Sequence, residues 1–134
     1  MERVYTTPLL DKLGVKPGSR VAIIGVDEVW FRTLLADRTT DVTEGRPKRD
    51  TDLIFLAADS IDELMQIGDL QRSLKPNGAI WVVSRKGKAA TLRDVDVIDA
   101  AKAVGLVDNK VASLSDTHTA QRLVIPVARR RRTG

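Results

Sequence analysis

The chain has no cysteine. Disulfides, thiolate metal centres and a cysteine nucleophile are therefore excluded, and the composition fits a reducing compartment. Histidine is nearly absent: His118 is the only one among 134 residues, so no histidine pair exists to hold a metal. Aromatic residues make up only 4% of the chain, which leaves Val, Ile, Leu and Ala to build the core and suits a parallel sheet covered by helices. No apolar run approaches the roughly 20 residues that a membrane helix requires. Residues 1–7 show neither a basic start leading into an apolar stretch nor a cleavage-like site, so the expected location is cytoplasmic.

What is present describes a globular protein, with 43% hydrophobic and 30% charged residues. One domain is the expectation at this length. The formal charge of +4 is local: Arg129, Arg130, Arg131 and Arg132 supply all four charges and leave residues 1–128 neutral. A neutral body argues against a broad nucleic-acid footprint. The reading is a single α/β domain over residues 1–128 followed by a basic, disordered tail over 129–134.

Alternating apolar runs and helical spacings set the order of elements. Pro8 to Leu13 has proline at a first helical position and Gly14 just beyond the end. Val21 to Ile24 is a continuous apolar run that stops at Gly25, and Val29, Trp30, Phe31, Leu34 and Leu35 then follow at helical spacing over 28–36. Residues 36–52 are rich in charge, threonine, glycine and proline, and admit at most one short strand, near Thr40 to Thr43. Leu53 to Ala57 is a buried strand. Ser60 and Glu63 have capping-box spacing ahead of a helix through Ile61, Leu64, Met65, Ile67, Leu70 and Leu74. Lys75-Pro76-Asn77-Gly78 is expected to stop that helix in a tight turn before a strand over Ala79 to Val83. A helix over 94–104, with Val95, Ile98, Ala101 and Val104 as its buried stripe, ends at Gly105 with Leu106 behind it, as a glycine cap requires. Lys110 to Leu114 and Gln121 to Val127 are joined by too short a link to be parallel. The expected fold is thus three-layer α/β: a doubly wound, mostly parallel sheet of 5–6 strands closed by an antiparallel hairpin.

Four segments carry a resemblance: Val15-Lys16-Pro17-Gly18-Ser19-Arg20 with Val21 to Gly25, Asp52 to Leu56, Leu74-Lys75-Pro76-Asn77-Gly78 with Ala79 to Val83, and Gly105-Leu106-Val107 with the hairpin. In this order they resemble the class I methyltransferases that use S-adenosylmethionine. The stretch Ala103 to Val111, with Pro8-Leu9 and Leu13-Gly14, is similar to a family of small bacterial proteins of unknown function, which implies no activity. The methyltransferase resemblance implies an acidic residue and three alternating glycines at the first strand's end. Here those positions hold Ile23, Gly25, Asp27 and Val29. An Asp side chain there fills ligand space and opposes the cofactor's carboxylate, and a β-branched Val does not take positive φ cheaply. The resemblance also implies an acid for the ribose hydroxyls after the second strand, for which Asp41 and Glu44 are the candidates. Only residues 36–52 lie where the full fold places a strand, a helix and another strand, so the sheet is shortened and its first strand lies near an edge.

The function implied is therefore unknown in detail: a non-catalytic, methyltransferase-like binding or interaction protein with a degenerate cofactor loop and no cofactor. The alternative is an enzyme using S-adenosylmethionine or a nucleotide through an altered loop. Ligands in open α/β sheets sit beyond the carboxyl ends of the strands, which gathers Gly25, Asp27, Glu28, Asp59, Ser84, Arg85 and Lys86 on one rim. Two readings of that rim are open: an anion or small-molecule pocket using Arg85, Lys86 and Lys88, or solvated charges paired with Asp27, Glu28 and Asp59. Trp30 either stacks on a ligand there or anchors the first helix. His118 falls in a turn, where a general base would lack a pocket. Expected partners are a second copy of the chain across the shortened sheet edge, and an unidentified protein or small molecule. No membrane is expected, and nucleic acid would be contacted only through the arginine tail, in a salt-dependent way.

Overall fold

The computed structural model describes residues 9–130. A helical turn over residues 9–13 (α1) leads to β1 (Val21–Ile24), α2 (Val29–Ala36) and β2 (Val42–Glu44). Then come β3 (Thr51–Ala57), two short helices α3 (Ile61–Leu64) and α4 (Ile67–Leu70), and β4 (Leu74–Arg85). The chain closes with α5 (Asp94–Ala103), β5 (Val107–Ser113), β6 (His118–Val124) and a turn of helix, α6 (Val127–Arg130). Pro8 and residues 131–134, including Arg131 and Arg132, lie outside the described residues.

The strands form one sheet in the order β2-β1-β3-β4-β6-β5. The first four are parallel, and β6 runs antiparallel to both β4 and β5. Alternation along each strand sorts the core into two faces. Val21, Ile23, Leu53, Phe55, Ala79, Trp81 and Val83 meet Leu10, Leu13, Phe31, Leu34 and Leu35 on one side. Ala22, Ile54, Leu56, Ile80 and Val82 meet Leu64, Ile67, Leu70, Val97 and Ala101 on the other. This is the expected three-layer α/β architecture. Trp81 is fully buried, and its indole N–H donates to the Leu13 carbonyl at 3.0 Å, which satisfies both a buried donor and the last turn of α1.

β1 is second from the edge, covered by β2 within the charge-rich segment. From Glu44 the chain returns to Thr51 over residues 45–50 with no helix. Arg20 organises this return. Its amide donates to Asp52 Oδ2 at 2.8 Å, its Nε to Asp41 Oδ2 at 2.9 Å and an Nη to the Arg49 carbonyl at 2.6 Å. Asp50 turns the loop in the left-handed region (φ 57°), and the Thr51 hydroxyl closes it on the Lys48 carbonyl at 2.6 Å.

Several expectations change. The helix through residues 61–74 is broken into α3, α4 and a 3₁₀ turn over Gln71–Ser73. Its buried residues, Leu64, Ile67 and Leu70, recur every third position, a 3₁₀ spacing rather than 3.6; Met65 falls off that line, and both Met65 and Ile61, the first residue of α3, are exposed. Lys75 to Gly78 is not a tight turn. Leu74 pairs with Thr51 and Ala79 with Leu53, so these residues form an extended bulge within β4, a position that accepts Pro76. In α5 the buried stripe runs through Val97 and Ala101, and Val95 is exposed. Trp30 is 42% exposed and meets Phe31 edge-on at 5.6 Å; Phe31, packed against Phe55 at 5.0 Å, holds α2 to the sheet together with Leu34 and Leu35. Arg129 and Arg130, expected to begin the tail, belong to α6 and donate to the carbonyls of Gly105 and Ile125. The cap at Ser60 is as expected, since its hydroxyl accepts the Glu63 amide at 3.1 Å.

Two measurements check this frame. A Cβ on Gly78 would stand 2.9 Å from the Asp52 carbonyl oxygen and 3.0 Å from that of Thr51, both backbone atoms that cannot step aside. Gly78→Ala is expected to lower stability by about 1–3 kcal/mol in urea unfolding. The Asp41 carboxyl is held below its usual range by the hydrogen bond from Arg20, against a smaller opposing effect of burial. Its stabilising contribution is present above the unfolded carboxylate pKa of about 3.9 and is lost as pH falls through the lower folded value. Asp41→Asn should therefore be less stable than the parent at neutral pH, with the difference vanishing in acid.

Candidate functional site

The rim is built where the parallel strands end. Gly25 leaves β1 at φ +76°, a left-handed turn that glycine adopts without strain, with Ala57 of β3 3.4 Å from where its Cβ would be. Val26 is buried beneath the turn, and Asp27 is exposed beside the pocket that it helps to line. Arg32, one turn into α2, donates to the Val26 carbonyl at 3.2 Å and approaches Glu44 Oε2 at 3.3 Å, so it ties the loop after β1 to the end of β2.

From β3 comes Asp59, whose Oδ1 accepts the Arg85 amide at 3.0 Å while Oδ2 stands 3.9 Å from the Arg85 Nε. The Asp59 amide donates to Glu63 Oε1 at 2.7 Å, and its carbonyl accepts the Thr91 hydroxyl. From β6 comes His118, cross-strand partner of Arg85. Its Nδ1 lies 2.8 Å from the Thr117 hydroxyl and its Nε2 3.7 Å from Glu28 Oε2.

These residues enclose a pocket of about 160 Å³, lined by Gly25, Asp27, Glu28, Ala57, Asp59, Val83, Arg85 and His118. Gly25, Asp27, Glu28, Asp59 and Arg85 thus come together as the sequence places them, whereas Ser84 and Lys86 do not line the pocket. Ser84 is buried, and Lys86 donates to Ser113 Oγ at 2.7 Å on the hairpin. Lys88 sits exposed in the 3₁₀ turn Gly87–Ala89. His118 is the residue that sequence reasoning missed. β6 begins at His118 rather than at Gln121, so pairing with Arg85 carries the imidazole to the rim. Counting the hairpin back from Ala120, opposite Val83, would have revealed it.

Three carboxylates face one guanidinium and one imidazole, so the pocket is acidic. Among the described residues no three His, Asp or Glu side chains are grouped to hold a metal. No helix among them is long and apolar enough to cross a membrane. Glu44, the last residue of β2, lies beside Ile23 of β1. That is where the resemblance puts the ribose acid, and β2 overlaps the short strand expected near Thr40 to Thr43.

The fold is shared with methyltransferases. An S-adenosylmethionine-dependent methyltransferase from Aquifex aeolicus superposes with a TM-score of 0.67 at 12% identity, over 90% of this chain and 89% of that one. Magnesium protoporphyrin IX methyltransferase from Synechocystis, with bound S-adenosylmethionine, gives 0.67 at 11% identity over 92% and 77%. Precorrin-6y C5,15-methyltransferase from Geobacter metallireducens gives 0.63 at 11% over 90% and 87%. At these identities the likeness is one of fold. No curated protein matches by sequence. The family model for the proteins of unknown function DUF3052 matches residues 10–127. The chain belongs to the DUF3052 family, built on a methyltransferase-like fold.

Proposed function

We propose that this protein is a non-catalytic binding module in which the strand-end crevice of a methyltransferase-like fold has become too small and too acidic for S-adenosylmethionine. The observation that carries the reading is the pocket beside Gly25. Its volume of about 160 Å³ is well below the roughly 300–1,000 Å³ of pockets that enclose a cofactor-sized ligand. Asp27 and Val29 occupy the positions of the second and third glycines. A cofactor carboxylate about 4 Å from Asp27 would meet a repulsion of about 4 kcal/mol near a protein surface. The hydrogen bond from the Arg85 amide to Asp59 and the approach of His118 to Glu28 draw the two sides of the crevice together. S-adenosylmethionine, which the fold family implies, therefore does not fit this crevice.

Glu44 favours a second reading. Its place at the end of β2 is that of a ribose-binding acid, and an enzyme using the cofactor or a nucleotide through an altered loop would use it. Against this, Glu44 lies 3.3 Å from the Arg32 guanidinium.

Isothermal titration calorimetry with S-adenosylmethionine and S-adenosylhomocysteine separates the two. No saturable heat is expected up to millimolar ligand. Saturable binding that disappears in Glu44→Ala would overturn the proposal and establish the second reading.

A further inference from the structure

A larger recess adjoins the ends of β1 and β2, at Ile24 and Gly45, but shares no residue with the rim pocket. It occupies about 580 Å³ on the sheet face that carries α4, and is lined by Ile24, residues 45–47 and 49 of the return from β2, and residues of α4 and the following 3₁₀ turn. Ile24, Pro47 and Leu70 give it an apolar component. Arg46 and Arg49 enter from the return loop and Arg72 from the 3₁₀ turn. The only acid in the lining is Asp69, 3.7 Å from Arg72. The Arg46 and Arg49 guanidiniums have no hydrogen-bond or ion-pair partner among the described residues; Arg49 is engaged through its backbone carbonyl alone. Three arginines against one acid leave a net double positive charge in a recess of ligand size.

We infer that this recess is a binding site for a small molecule carrying two or more phosphate groups, held by Arg46, Arg49 and Arg72 with its apolar part against Ile24, Pro47 and Leu70. Guanidinium groups suit phosphate because their planar donors match its oxygens in pairs. The loop that presents two of them is set in advance by the Arg20 bond to the Arg49 carbonyl, the left-handed turn at Asp50 and the Thr51–Lys48 closure, so little ordering accompanies binding. A nucleic acid fits less well: the charges sit in one recess on a body without net charge rather than along a stripe. The site shares no lining residue with the rim pocket, and the inference holds whether or not that pocket binds a cofactor.

Calorimetry of the full chain with pyrophosphate, ATP and AMP tests it. ATP and pyrophosphate should bind at one site, ATP more tightly than AMP and more weakly as salt rises. Arg46→Ala/Arg49→Ala should weaken ATP at least tenfold, and Arg85→Ala, on the rim, should leave it unchanged. Both sets of side chains are exposed, so the variants should fold as the parent does, which circular dichroism checks. The proposal is overturned if ATP gives no saturable heat at millimolar concentration, if the double variant binds as well as the parent, or if a hexaglutamate peptide binds while ATP does not.

Discussion

The return from β2 to β3 is the constraint on which the rest of the architecture depends. Glu44 is level with Ile23 and hence with Phe55, so the chain must travel back four strand residues, about 13 Å, and sideways across β1 by two strand spacings, about 10 Å. The diagonal is about 16 Å before any detour over the sheet face. Six helical residues rise only about 9 Å, whereas seven extended steps reach about 23 Å. A parallel crossover this short can only be a strap. With no apolar helical face to hold it, Arg20 and Asp41 fix its course by hydrogen bonds, and Pro47 is its buried residue.

Two features of the surface follow from that strap. The sheet ends in a strand of only three residues, a length that gives little ladder to an incoming chain. The face that a crossover helix would cover is left as a recess, and the loop edging it carries Arg46 and Arg49 where a helix would have brought apolar side chains. The rim pocket has a separate cause. Its size is set by Asp27, Glu28, Asp59, Arg85 and His118, which come from both sides of the crevice and meet within it. The molecule thus keeps the frame of a methyltransferase-like fold while its charged groups are arranged around two different spaces.

Much of this was legible because buried strands state themselves. Val21 to Ile24, Leu53 to Ala57 and Ala79 to Val83 are unbroken apolar runs, marked by Gly25, by Asp52 and by Gly78 with Ser84, and each lies in or against the core where its run predicts. The Gly105 cap follows the same logic: the Leu106 amide returns to the Ala101 carbonyl at 2.9 Å and Leu106 is buried. Elements held by hydrogen bonds to partners far along the chain were legible only in outline: the short strand expected near Thr40 to Thr43 lies at Val42–Glu44. β2 exists because β1 offers it a ladder, and none of its three residues is fully buried. The 61–74 segment kept its apolar content but not its period. Five of the seven rim candidates line one pocket because strand ends can be located, whereas Ser84 and Lys86, on either side of Arg85, do not; His118 escaped because the hairpin strand begins three residues earlier than its apolar run. The arginine recess had no local mark at all, since Arg46, Arg49 and Arg72 become neighbours only through the strap.

Amide hydrogen exchange in Arg20→Met tests most directly whether that strap is held by Arg20. Met keeps the apolar stem and removes the guanidinium. The Gly45 amide, bonded to the Ile23 carbonyl, and the Asp52 amide, bonded to the carbonyl of residue 20, should exchange faster than in the parent. The amides of Ile54 and Trp81, in the central strands, should not change. Unaltered protection at Gly45 and Asp52 would contradict the account and show that packing alone holds the crossover.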